Sequence, residues 1–235
     1  MDLKQYYEKT YQGVDLTRQQ QASESLAEFF RLVADKYEFK NSPPRKTLEI
    51  GSGLGGMIPL FLENCCWPTC LDFSAEAIKA SKSRVYSAPV EFVCENIVSF
   101  CRVNEYEFIF DSHLIHCLTI DTERQKALLN IYNSLQSGGL FALECMVRTK
   151  ETQVEKDFYL DEQGVFWQVL EETVVPTRKI CTAMELEQQI LSYGFEIDYL
   201  MVHSEKKFIP HNRRDSVLKC ECFHSSSGVA HSRKS

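Results

Sequence analysis

The sequence predicts an α/β fold, a mostly parallel sheet with helices on both faces. Three observations carry that reading. The stretch Lys46–Gly56, KTLEIGSGLGG, sets a short apolar run directly before four glycines, the layout of a buried strand entering a tight turn. A helical run, Met57–Glu63, follows at once, with Pro59 tolerated because it falls in the first turn. Strand and helix signals then alternate as far as Leu143, the rhythm of parallel strands joined by crossover helices. At 235 residues the chain suits one such domain with an elaboration.

Residues 1–40 read as helical. Leu26, Phe29, Phe30 and Val33 recur at helical spacing behind Ser23 and Ser25, both candidate caps. A tyrosine-rich piece (Tyr6, Tyr7, Tyr11) precedes them. It either closes over a ligand or packs a helix on the sheet, and Tyr11 is the preferred ligand contact. Arg18 reads as a solvated charge ahead of a partner for a ligand carboxylate. After the breaker Asn41–Arg45, Thr47–Ile50 is the first strand. Trp67–Phe73 is the second and ends in Asp72, 21 residues after Gly51. In a doubly wound sheet an acid there is placed to accept from ribose hydroxyls; helix capping is the alternative role. Ser74 caps a helix running to about Val85.

Val90–Cys94 is the third strand, followed by Glu95, Asn96 and Ile97. Tyr106–Phe110 is the fourth and leads into Asp111-Ser112-His113-Leu114-Ile115-His116-Cys117. His113 reads as a general base with His116 in support, against a core role in which His116 bonds the backbone. No third ligand joins the two histidines, so no metal is assigned. Asp121–Leu135 is an amphipathic helix that closes at Ser137-Gly138-Gly139. Leu140–Leu143 is the fifth strand, with Glu144 at its tip. Residues 147–182 break the rhythm and read as a substrate-side insertion. There Phe158, Tyr159, Phe166 and Trp167 are pocket walls or core. Thr182–Tyr193 is a helix closed by Gly194, and Phe195–Val202 and Val217–Phe223 are strands. The single domain is thus expected over 1–223, with a polar, disordered tail over 224–235.

Composition narrows the function. The net charge of −7 disfavours a broad nucleic-acid footprint. No apolar run approaches the 18 residues of a membrane span, and the polar, acid-containing start does not read as a signal peptide. The 10 cysteines include no CxxC pair, so they read as free thiols in a reduced, cytoplasmic compartment.

The glycine pattern fits both GxGxxG and GxGxG. Glu49, two residues before Gly51, separates them, because a carboxylate would repel the pyrophosphate of a dinucleotide. It suits a ligand with cationic groups instead. LEIGSGLGG resembles the first motif of class I S-adenosylmethionine-dependent methyltransferases. LQSGGLFAL resembles the turn and strand after that family's fourth motif, YGFEIDYLMV its turn before the sixth strand, and DSHLIHCL its fourth-motif region in small-molecule enzymes. The NPPY or DPPY motif of nucleic-acid amino-methylating enzymes is missing.

The resemblance implies a Rossmann-like, seven-stranded, mostly parallel sheet with a C-terminal antiparallel hairpin. It implies a helical lid over residues 1–40 and S-adenosyl-L-methionine as cofactor, leaving S-adenosyl-L-homocysteine. The cofactor would meet Tyr11, Glu49, Gly51, Ser52, Gly53, Asp72, Phe73, Asn96 (or Glu95, one residue off), Ile97 and Asp111. Asn96 stands where the family usually has an acid. His113 and Glu144 are the catalytic candidates, and a small molecule is the acceptor. A protein or peptide methyltransferase, and a non-catalytic cofactor-binding partner protein, are the alternatives. The oligomeric state is left open.

Overall fold

The computed structural model describes residues 3–12, 22–148, 158–170, 173–203 and 216–224. Arg18 and the polar end beyond His224 lie outside these residues. Two N-terminal helices, α1 (Leu3–Tyr11) and α2 (Glu24–Lys36), precede strand β1 (Arg45–Ile50). Then come α3 (Ile58–Glu63), β2 (Cys66–Asp72), α4 (Ala75–Lys82), β3 (Glu91–Cys94) and β4 (Tyr106–Asp111). Helix α5 (Asp121–Ser134) leads straight into β5 (Leu135–Val147). These five strands form a parallel sheet in the order β3-β2-β1-β4-β5.

The region expected to be an insertion builds a separate antiparallel sheet from β6 (Phe158–Leu160), β7 (Val165–Leu170) and β8 (Thr173–Lys179). Helix α6 (Ala183–Ser192) follows, then β9 (Phe195–His203) and β10 (Ser216–His224). Beyond β5 the strand order continues through β10 to β9, with antiparallel pairing at both steps.

Period-two alternation divides the core between the two faces. Phe108 and Phe110 of β4 point to one side, where they meet Phe29, Phe30, Met57 and Phe61 from α2 and α3. Ile109 points to the other, against Ala127, Leu128, Ile131, Leu186 and Ile190 of α5 and α6. Phe30 is fully buried and meets Phe61 edge-on at 4.9 Å and Phe110 at 5.8 Å. Burying each such side chain contributes about 1.5–3 kcal/mol.

Three boundaries depart from the sequence reading. Helix α4 stops at Lys82 and not near Val85. Helix α5 ends before Ser137–Gly139, and that glycine pair lies inside β5; pairing with β4 from Leu135 onward overrides the helix-stop signal. Pairing with β10 also extends β5 to Val147, so Glu144 is not at the strand tip. It sits within β5, fully buried. Of the expected N-caps, Ser23 and Ser74 hold and Ser25 does not. Ser23 accepts from Leu26 N–H, and Thr182 forms a reciprocal capping box with Glu185.

Candidate active site

The carboxyl ends of β1, β2 and β4 converge on the glycine turn. The Gly51 and Ser52 N–H groups both donate to the Leu71 carbonyl, at 2.9 and 3.1 Å, tying the turn to β2. Gly51 and Gly53 adopt φ of 72° and 50°, the left-handed region that side chains resist. Space forbids side chains as well. A Cβ on Gly51 would lie 2.8 Å from Leu114 Cβ, and one on Gly53 would lie 3.2 Å from the Tyr11 hydroxyl. Tyr11 stacks on Tyr7 at 6.4 Å, and Tyr7 meets half-buried Phe73 edge-on at 5.7 Å. Helix α1 therefore lies across the turn.

Two buried carboxylates flank it. Glu49, 1% exposed, accepts from Ser112 Oγ at 2.7 Å and from Cys70 Sγ at 3.6 Å. Asp72, 5% exposed, accepts from Gly53 N–H at 2.8 Å and Ser74 N–H at 2.9 Å. Each oxygen of Asp72 bonds one amide and retains lone-pair capacity for a hydroxyl. Among the described residues neither acid has a lysine or arginine partner within ion-pair distance. Ser52 Oγ is buried with no hydrogen-bond partner among the described residues. A cradle with two acids and no base fits a ligand bearing cationic groups and sugar hydroxyls, and it repels a pyrophosphate.

A second constellation lies beside it. His113 takes φ 68°, unusual for a non-glycine residue, and its Nε2 is 3.0 Å from Glu144 Oε1. Ser25 Oγ of α2 donates to the same oxygen at 2.7 Å. The turn is stiffened from both directions. Asp111 Oδ1 accepts from Leu114 and Ile115 N–H, at 2.9 and 3.1 Å. Arg124 of α5, 1% exposed, donates to the Ile115 carbonyl at 2.7 Å. Tyr7 of α1 reaches the same turn, donating to Cys117 Sγ at 3.1 Å.

Residues 48–143 match the family model described as "Methyltransferase domain". That stretch of the chain carries a methyltransferase domain. No curated protein matches the sequence. Solved structures share the fold. A S-adenosylmethionine-dependent methyltransferase from Clostridium acetobutylicum is 14% identical, with 94% of this chain and 99% of that one covered and a TM-score of 0.65. One from Methanosarcina mazei is 16% identical, covering 81% and 97%, TM-score 0.65. The Burkholderia thailandensis 1,6-didemethyltoxoflavin-N1-methyltransferase, solved with 1,6-didemethyltoxoflavin and S-adenosylhomocysteine, is 14% identical over 95% and 88%, TM-score 0.66.

In this methyltransferase domain the anticipated residues fall into three groups. Tyr11, Glu49, Gly51, Ser52, Gly53, Asp72 and Phe73 gather at the turn, and His113 and Glu144 meet beside it. Asn96, Ile97 and Asp111 make their observed contacts outside the glycine turn. Asn96 is exposed and its Oδ1 accepts from Val98 N–H at 2.9 Å, closing its own turn. Ile97 is 2% exposed in the core. Asp111 caps the His113 turn. His116 takes the core role, accepting Met146 N–H at Nδ1 (3.4 Å), with its ring 5.6 Å from that of His113. Glu8, Ser25 and Ser112 are the additions the sequence did not single out as site residues. Ser25 read as a helix cap, and Glu8 carried no motif.

Burial dominates the electrostatics of the methyltransferase cleft. Desolvation pushes Glu49 from 4.5 to about 8, against the bonds from Ser112 and Cys70. It pushes Asp111 from 3.8 to about 7, against the Leu114 and Ile115 amides. Asp72 is raised for the same first reason. A cavity of about 220 Å³ on the far side of Arg124 is lined also by Asp121, Arg148, Lys179 and Glu185, and by none of the anticipated site residues. Its charges pair with one another, Lys179 with Asp121 and Arg148 with Glu185. Among the described residues no cluster of three metal-ligating side chains occurs, and no helix is long and apolar enough to cross a membrane.

Proposed function

We propose that this methyltransferase acts on a small molecule in a cleft roofed by α1 and by the three-stranded sheet. One observation carries the reading. Tyr7 of α1 bonds Cys117 of the His113 turn, and its neighbour Tyr6 bonds Gln168 of β7 at 3.2 Å. A roof fastened both to the His113 turn and to the small sheet supports a small acceptor better than an extended polymer. In this reading residues 1–40 supply the lid, and β9 with β10 form the hairpin that completes a seven-stranded sheet. The scattered cysteine spacing favours a reducing, cytoplasmic setting.

Bound S-adenosylmethionine supplies a methyl group activated on a sulfonium. Glu49 and Ser112 receive its amino-acid end, Asp72 its ribose hydroxyls, and Tyr11 covers the turn. The chain's further work is alignment and exclusion of water. The residues would hold the sulfonium methyl in line with the acceptor atom, and the donor would leave as S-adenosylhomocysteine. Where the acceptor carries a proton, His113 takes it. Glu144 orients the ring at Nε2, and Ser25 fixes the Glu144 oxygen that does so. Calorimetric titration with S-adenosylhomocysteine, with NADH in parallel, tests the cofactor. Binding of the former alone is expected, and binding of NADH alone overturns the reading. Turnover assays on small nucleophiles and on peptides then test the acceptor. Methylation of peptides alone overturns the small-molecule assignment.

A further inference from the structure

The roofing helix α1 is held by a contact that the cofactor chemistry does not require. The Glu8 carboxylate accepts from Ser74 Oγ at 2.8 Å, Ala75 N–H at 3.0 Å and Glu76 N–H at 3.3 Å. These groups begin helix α4, whose unpaired amides and dipole favour an anion. Desolvation raises the Glu8 pKa, but the Ser74, Ala75 and Glu76 bonds outweigh it and hold the carboxyl below its usual range.

Ser74 is bonded in two directions. Its N–H donates to Asp72 Oδ1, and its hydroxyl donates to Glu8. The acid assigned to the ribose and the acid that fastens the roof therefore share one residue. Tyr11 lies three residues beyond Glu8 on the same helix, close to one turn on, and its hydroxyl stands over Gly53. Tyr6 fastens the opposite side of α1 to Gln168.

We propose that Glu8 is a positioning residue that seats α1 across the cofactor cleft and sets how fast cofactor and product leave. The proposal rests on the cofactor reading above. Glu8 touches no reacting atom and acts through α1. For ligand to leave past Tyr11, α1 must lift, and Glu8 must give up its place on α4. Because Ser74 joins Glu8 to Asp72, ribose binding and roof closure favour one another, and such coupling is reciprocal. Release of product limits turnover in many enzymes, so loosening the seat alters residence time before it alters chemistry.

Stopped-flow displacement of S-adenosylhomocysteine from the full chain tests this in Glu8→Gln and Glu8→Ala. The dissociation rate is expected to rise about tenfold, a loss on the scale of a charge-assisted bond. Amide exchange over residues 3–12 should quicken, with β1 and β2 unaffected. In the unmodified chain, S-adenosylhomocysteine should slow exchange over 3–12. An unchanged release rate in folded variants overturns the seat alone. Exchange over 3–12 that ignores the ligand does the same, even if the variants do not fold. Failure of the unmodified chain to bind S-adenosylhomocysteine overturns the cofactor reading, and the seat falls with it.

Discussion

The two halves of the cleft are built differently. At the glycine turn the contacts are short in sequence and mostly backbone. Gly53 N–H meets Asp72 across 19 residues, and Gly51 and Ser52 N–H meet the Leu71 carbonyl. At the acceptor side they are long and made by side chains. His113 reaches Glu144 across 31 residues, Ser25 reaches it across 119, and Tyr6 reaches Gln168 across 162. A single strand–turn–helix–strand unit thus frames the proposed donor half, with Ser112 and Tyr11 added from outside it, and the packing of three distant segments frames the proposed acceptor half. Backbone geometry constrains residue type tightly, whereas a side-chain contact can be met by many residue types. Donor binding should therefore fail abruptly on mutation and acceptor chemistry by degrees.

The sharpest break is Gly53→Arg. Its side chain would enter the space under Tyr11, so S-adenosylhomocysteine binding should be lost by calorimetry while the fold persists by circular dichroism. Binding at wild-type affinity would remove the turn from the donor half. Next comes His113→Ala on the other side. For an acceptor that must lose a proton, turnover should fall about 10²–10⁴-fold with little change in S-adenosylhomocysteine affinity. An unchanged turnover number ends the case for the base.

Glu49→Gln should be milder, weakening S-adenosylhomocysteine by roughly tenfold, as for loss of one charge-assisted contact. It should also flatten the pH profile. Glu49 titrates near pH 8 in the free protein, and a cationic amine binds its ionised form. Wild-type affinity should rise with pH up to about 8 and then level, with a proton released on binding below that. A pH-independent affinity in the wild type would dissociate Glu49 from the ammonium.

The smallest effect is on stability. Glu49 and Asp111 hold their protons more tightly folded than their ordinary values of 4.5 and 3.8, at about 8 and about 7. The folded state therefore binds more protons between those limits, and stability falls as pH rises through that window. The ligand-free melting temperature should decline from about pH 4 to about pH 8. Glu49→Gln and Asp111→Asn should each flatten part of the decline. A melting temperature that rises across the window would contradict the burial of these carboxyls.

The sequence by itself made the glycine turn and its flanking acids, the proposed donor half, legible. Glycines forced by positive φ, an acid two residues before them and an acid at the next strand tip are local consequences of one βα turn, so they can be read along the chain. The strand signals of the parallel sheet were legible for the same reason, since alternation and apolar runs are local. Only the tertiary structure decided the rest. Ser25 became the partner of Glu144 because α2 packs on β5, and no spacing in the chain encodes that meeting. Pairing with β4 drew Ser137–Gly139 out of a helix end and into β5, and pairing with β10 carried β5 past Glu144 to Val147. Asp111 turned inward because Leu114 and Ile115 N–H needed an acceptor inside the fold. Residue type announces what a side chain can bond, and packing chooses which partner it reaches.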